Sequence, residues 1–357
     1  MKPSMLDYVN ETKSAIIGIV ENSDALCSGF AKQFAAKKYK RVLLPSSGTS
    51  NNACVTAKYF MEKMLKVPVT PVTAYSFAHY EEILGTDDLV VAVTQEGEST
   101  NTIDSIKKAN ELGLDNYVVT ENLDNTCTKL AQHKVTIDCG REYMGPKTKG
   151  YTATVLTLYM MSLEAARAIG NISEKEYADY KKRVAAVINN LDVVIKNTLT
   201  WFDDNKEDLS KCDRCYVLSY GANVGTAVEG ALKSLETVRD IFFAFETEEF
   251  LHGPLASLKP NIYTVFISPK SYGYERANTL FKILNSQTEH SYSIGAQQGA
   301  ESKHILDGGF IDDDDFSTLE YCVPMQLFAY LLYTAKGIDL EVRNYPRTKD
   351  ALPTKAN

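Results

Sequence analysis

A strand, a glycine turn and a helix recur in both halves of this chain at nearly one spacing, and that repeat restricts the fold more than any other feature of the sequence. Residues 41–45 (RVLLP) form an apolar run of strand length that enters SSGTSNN and then the helical pattern ACVTAKYFMEKML. DDLVVAVT enters QEGESTNT and the amphipathic IDSIKKANELG, with Gly113 as its stop, and NYVVT and VTIDCG supply two more strands. The order resumes at 216–220 (YVLSY), ahead of GANVGTAVEGALKSLE, and at IYTVFIS, ahead of PKSYGYERANTLFKIL. Gly48 and Thr94 are 46 positions apart, and Gly221 and Ser268 are 47 apart. Apolar strands alternating with helices require a parallel sheet covered on both faces, since parallel neighbours are joined by crossovers. The expected fold is therefore α/β: two tandem modules, each a parallel sheet flanked by helices in three flavodoxin-like α/β/α layers.

The expected boundaries are a helical segment at 1–38, a first module at 39–170, a helical connector at 171–210, a second module at 211–340 and a tail at 341–357. A length of 357 residues suffices for two cores without disulfides or metals. The net charge of −8, with no basic patch, argues against nucleic acid or an anionic membrane as partner. No stretch approaches the roughly 20 apolar residues of a membrane span, and the polar start MKPSMLDYVNETKS lacks a signal-peptide core, so a cytoplasmic protein is expected. Seven scattered cysteines fit buried thiols in a reducing compartment. One CxxC (Cys212, Cys215) and five histidines never three or four apart give no metal site, and no cofactor is expected.

In open parallel sheets, ligands bind beyond the carboxyl ends of the strands, where helix N-termini offer amides to anions. Two polar turns of the first half fall there: Ser46, Ser47, Thr49 and Ser50 beside Gly48, and Thr94, Gln95, Ser99, Thr100 and Thr102 beside Gly97. One such turn would be ordinary helix capping. Two on adjacent strands point to an anion held by hydroxyls and amides. The second half has a poorer cradle, with one hydroxyl in GANVGT (Thr226) and Pro269 where an amide is needed, so anion binding should be lost there. It carries instead Glu229, Lys233 and Glu236 at i, i+4 and i+7 on one helical face, a spacing that also serves solvated ion pairs. His252 follows in FLHGP, and a lone histidine can equally be structural. The aspartate run 312–315 reads as a solvated loop.

Taken in order, GTS at 48–50, TQEGES at 94–99, KTK at 147–149, GALKSLE at 230–236 and HGPLA at 252–256 resemble the sugar isomerase (SIS) family. Within it, the isomerase half of glucosamine-6-phosphate synthase is matched over nearly the whole chain. The resemblance implies that Ser50, Thr94, Gln95 and Ser99 contact a sugar phosphate, in binding segments that also contain Gly48, Thr49, Glu96, Lys147 and Thr148. It implies that Glu236 is the base moving a proton between C1 and C2, and that His252, lent by the partner subunit of a homodimer, assists ring opening. Lys233, one turn from Glu236, would steady the carboxylate or a developing enediolate.

Three departures narrow the expectation. The chain has no cysteine nucleophile at position 2 and no glutaminase half, so glutamine amidotransferase activity is not expected. Aligning Arg343 and Asn344 with the family's RN pair puts Arg347 where a tail lysine forms a Schiff base; arginine stays protonated and cannot, and Lys349 lies two residues on. Glu96 replaces a small hydroxyl residue, and a carboxylate about 5 Å from a phosphate charge would cost roughly 3 kcal/mol at an effective dielectric of 20. Lys147 is expected near Glu96, to neutralise it or join it in reading the substrate. Two-module relatives that deglycate fructoselysine or glucoselysine 6-phosphate need no enzyme lysine, and a deglycase or deaminase of this kind is the preferred expectation. Simple aldose–ketose isomerisation follows closely. An ammonia-dependent synthase-like isomerase and a non-catalytic sugar-phosphate sensor are the alternatives, the sensor disfavoured by the lack of a basic DNA-binding segment.

Overall fold

The computed structural model describes residues 3–295, 302–342, 344–345, 348 and 351–356. It separates into two compact units. One comprises Ser14–Glu142, Lys149–Lys182 and Glu341–Asn357; the other comprises Met1–Lys13, Tyr143–Thr148 and Arg183–Leu340.

Chain order begins with α1 (Met5–Glu21) and α2 (Ser23–Ala36), which precede β1 (Arg41–Ser46), α3 (Thr49–Leu65), β2 (Val69–Thr73) and α4 (Ala74–Tyr80). Then come β3 (Asp88–Val93), α5 (Thr100–Glu111), β4 (Asp115–Thr120), α6 (Thr126–Leu130), β5 (His133–Thr136) and α7 (Lys149–Ala168). All five strands are parallel, in the order β2-β1-β3-β4-β5. The central strand β3 is buried along its whole length, and Leu43, Phe77, Val90, Ala109 and Leu114 form one of the apolar layers against it. The opposite cover includes α7, which packs on α2 and α3 and is buried from Lys149 to Ala166.

The helix α8 (Glu174–Leu209) is continuous and leads to the repeat. There β6 (Arg214–Ser219), α9 (Asn223–Thr237), β7 (Ile241–Glu246), α10 (Thr247–Leu251), β8 (Tyr263–Ile267), α11 (Tyr274–Asn285), β9 (Ser291–Ile294), β10 (Ile305–Leu306) and α12 (Ser317–Ala335) follow the same order. The second sheet is again parallel, β10-β9-β8-β6-β7, so each module has its first strand flanked by its second and third. The reversal of strand order opens a crevice between β1 and β3, and its counterpart between β6 and β8. The expected α/β tandem of three-layer modules is what forms.

Four strands went unread in the sequence, β2, β7, β9 and β10. β2 and β7 are edges, half-exposed and interrupted by Pro71 or ended by Glu246, and an edge tolerates proline because its outward amide needs no partner; β9 (SYSI) alternates polar and apolar residues, and β10 is two residues long. The strand β5 lies ahead of most of VTIDCG, because Asp138 takes a left-handed backbone (φ 55°) and turns the chain away. The aspartate run 312–315 is a correction. Asp313 and Asp315 accept from Arg183 at 2.7 and 3.0 Å with their side chains about nine-tenths buried, and Asp312 accepts from the Tyr321 hydroxyl at 2.5 Å. A run of like charges suggests water only when its cation, here 130 residues away, is out of sight. No disulfide joins the seven buried cysteines, and among the described residues no cluster of metal ligands occurs. Among them, too, no helix is long and apolar enough to cross a membrane.

Candidate functional site

The crevice between β1 and β3 is framed by the two hydroxyl-rich turns. Gly48 ends the first with φ 56° and ψ −131°, a backbone that glycine adopts without strain, and α3 starts at the next residue. Thr94–Ser99 form the second, ahead of α5. Neither helix has an acidic residue in its first turn, so no local carboxylate takes up the partial positive charge of the N-terminal amides. Ser99 stands at the N-cap of α5 with extended backbone, yet its side chain makes no cap hydrogen bond. This decides against capping as its purpose, because capping is that bond. Ser50 and Thr94 are nearly buried at 8% and 6% exposure. Ser46 is turned elsewhere: its hydroxyl donates to the Leu44 carbonyl at 3.1 Å, which takes it out of the cradle.

The second turn is braced from behind. The Gln95 carbonyl accepts from the Thr120 hydroxyl at 3.1 Å and the Glu121 amide at 3.0 Å. The Gln95 side chain lies against Gly150 at the start of α7, where a Cβ would stand 1.8 Å from its Nε2. Gly97 (φ 73°) faces Asn125, and a Cβ there would meet Asn125 Cγ at 2.0 Å. Glu98 accepts from the amide and hydroxyl of Thr126 at 2.9 and 2.7 Å, tying the turn to α6. Asn125 and Gly150 escaped the sequence reading, since only the fold brings them to the turn. Gly97→Ala should lower stability by about 2–4 kcal/mol, left-handed strain adding to overpacking. Gly113→Ala, also left-handed (φ 66°) but in open space, should cost only about 1–2 kcal/mol in the same urea titration.

Glu96 sits on this turn with its carboxylate ion-paired to Lys355. Lys355 arrives on a short extended segment: Ser99 and Lys355 form an antiparallel bridge, the Thr100 amide donates to the Thr354 carbonyl at 3.2 Å, and the Ala356 amide donates to the Glu98 carbonyl at 2.8 Å. Ala356 packs beside Ala92, Ile103, Ile106, Val118 and Cys127. Lys355 is thus a cation of the same compact unit that pairs with Glu96. Lys147 and Thr148 belong to the other unit, where the buried Thr148 accepts from Gln326 Nε2 at 3.0 Å. Arg347 and Lys349 lie outside the described residues.

In that other unit, α9 does place Glu229, Lys233 and Glu236 on one face, and these are not solvated pairs. Lys233 and Glu229 are 1% and 2% exposed with Nζ 3.4 Å from Oε1, and Lys233 is also ion-paired to Glu236, which is 38% exposed. Burial opposes the lysine's charge, but Glu229 and Glu236 outweigh it and hold the ammonium above its ordinary pKa. A fixed positive charge therefore stands one turn from a carboxylate that solvent reaches. His252 ends α10 and is exposed. The crevice of this second sheet is internally filled: Tyr220 donates to the Pro269 carbonyl at 2.5 Å and the Lys270 amide faces Asp312 at 3.4 Å. An amide that could meet an external anion already faces an internal carboxylate.

These features define a doubly wound α/β tandem with two hydroxyl-rich turns at the switch point of its first sheet. Residues 36–164, which make up most of the first module, match the SIS domain family model, and the second module repeats the strand order of the first. It is similar to the glutamine–fructose-6-phosphate aminotransferases (isomerizing) of Pyrococcus horikoshii, 27% identical over 346 residues and 94% of this chain, and of Thermococcus kodakarensis, 25% identical over 339 residues and also 94% of this chain. The chain spans about half the length of these curated relatives, 55% and 56%. Among solved structures it is similar to a phosphosugar isomerase candidate from Clostridium difficile 630, with TM-score 0.92, 26% identity and 99% coverage of both chains. The C-terminal domain of glucosamine-fructose-6-phosphate aminotransferase from Francisella tularensis shares the fold, with TM-score 0.84, 22% identity and coverage of 94% of this chain and 96% of that one.

Proposed function

We propose that this chain is a phosphosugar-processing enzyme that acts on a 6-phosphorylated ketoamine by proton transfer between C1 and C2. The observation that carries the reading is the pair of turns at the first switch point, with N-terminal amides unopposed by acidic residues and an N-cap Ser99 that does not cap. Ser50, Thr94, Gln95 and Ser99, with Gly48 and Thr49, hold the phosphate. Glu236 removes the C1 proton, Lys233 offsets the charge that develops, and reprotonation at C2 leaves an imine at C1. Water then adds to the imine and the amine departs, giving an aldose 6-phosphate. No enzyme lysine is needed, because the substrate brings its own amine.

His252 assists ring opening from the partner subunit of a homodimer. Its exposure at the end of α10 supports that reading, as do Ile241 and Phe243, 52% and 55% exposed on the edge strand β7. Seven buried cysteines without a disulfide fit a cytoplasmic setting. Purified protein incubated with 6-phosphorylated Amadori compounds and with 6-phosphoketoses tests the reaction. Amine release with formation of an aldose phosphate is expected; interchange without release would make the protein a simple isomerase, and binding without turnover of every compound would make it a sensor.

A further inference from the structure

The segments that build the cradle, SSGTSNN and TQEGESTNT, contain no lysine or arginine. A phosphate monoester near neutral pH carries between one and two negative charges, and Glu96 adds another at the rim. Neutral hydroxyls and amides orient such an anion but do not balance its charge. A cation within the same compact unit is Lys355, brought to the turn by main-chain pairing of Thr354–Ala356 with Glu98–Thr100 and held there by Glu96.

We propose that Lys355 is the basic residue of the phosphate cradle, kept beside the turn by Glu96 and shared with the phosphate when substrate arrives. This rests on the reading that the two turns hold a sugar phosphate. The side chains of Lys355 and Glu96 are 61% and 38% exposed, and an ion pair that open is weak, so turning the ammonium toward a more highly charged anion costs little. The segment itself stays in place, because backbone hydrogen bonds and the packing of Ala356 hold it rather than the ion pair. Glu96 thereby has a purpose its charge alone would contradict: it fixes the position of the lysine and sets the electrostatic threshold that an entering group must exceed. Doubly charged phosphate esters exceed it; neutral sugars and singly charged sugar acids gain much less.

Calorimetric titration of the full chain with fructose 6-phosphate, and with fructose as the uncharged control, tests the assignment. Lys355→Met should weaken fructose 6-phosphate binding 10- to 100-fold, Lys355→Arg should retain it within about threefold, and Glu96→Gln in the Lys355→Met background should recover most of the loss. The thermal midpoints of all three should match the parent, which separates a charge role from loss of folding. Equal binding by parent and Lys355→Met, or equal loss in Lys355→Arg, overturns this inference and leaves the cradle standing. Failure of the parent itself to bind the phosphate ester more tightly than fructose overturns the cradle and this inference together.

Discussion

Replacing Glu236 by Gln should lower kcat about 10²- to 10⁴-fold while KM for the phosphosugar stays within a few fold. That split is the signature of losing a proton-transfer group rather than a binding group. Glutamine keeps the volume and a hydrogen-bond acceptor for Lys233, so the fold should survive. The loss arises because the amide cannot take the C1 proton. Steady-state kinetics on the parent's best substrate, with exchange of the C1 proton into deuterated water read by NMR, checks it. A variant that still exchanges that proton at the parental rate would remove Glu236 from the role of base.

The second large effect is on stability. Lys233→Met should destabilise the protein by about 3–5 kcal/mol, because it removes the cation 3.4 Å from the 2%-exposed Glu229. The double variant Glu229→Gln/Lys233→Met should recover a substantial part of that loss, and urea titration of the three proteins measures both. The lysine also sets a pH dependence of known sign. Its folded-state pKa is raised above the unfolded value of about 10.5, so the stability it contributes is fully present below pH 10.5 and is lost as pH rises through the higher folded value. Removing the group removes this dependence, so the stability of the Lys233→Met variant should fall less steeply than the parent's as pH rises above 10.5.

Legibility in the sequence followed apolar runs rather than burial, since the fully buried β9 (SYSI) alternates polar and apolar residues and went unread. The strands β1, β3, β4, β6 and β8 are apolar along most of their length, and a run of four or more such residues before a glycine turn has few other uses. The edge strands β2 and β7 carry no such mark, because one side of an edge meets water or a neighbour and selection on its residues is looser. The two turns could be read from their hydroxyls and glycines, since those residues act through local backbone. Glu229, Lys233 and Glu236 could be placed on one face from spacing alone, but the near-complete burial of Glu229 and Lys233 could not, because burial depends on what packs over the helix. Asn125, Gly150 and Lys355 share a different obstacle. Each meets the second turn through a contact that only tertiary structure creates, and Lys355 lies in a polar stretch with no period to mark it.

The bridge between Ser99 and Lys355 bears on how the protein is made. Lys355 leaves the ribosome 259 residues after Glu96, which at ordinary elongation rates is a delay of roughly 10–50 s. For most of that interval the first sheet has all five strands, while the turn at Glu96 lacks the Thr354–Ala356 segment and its positive charge. If that turn holds a phosphate as proposed, a nascent chain cannot complete it before residue 355 has emerged.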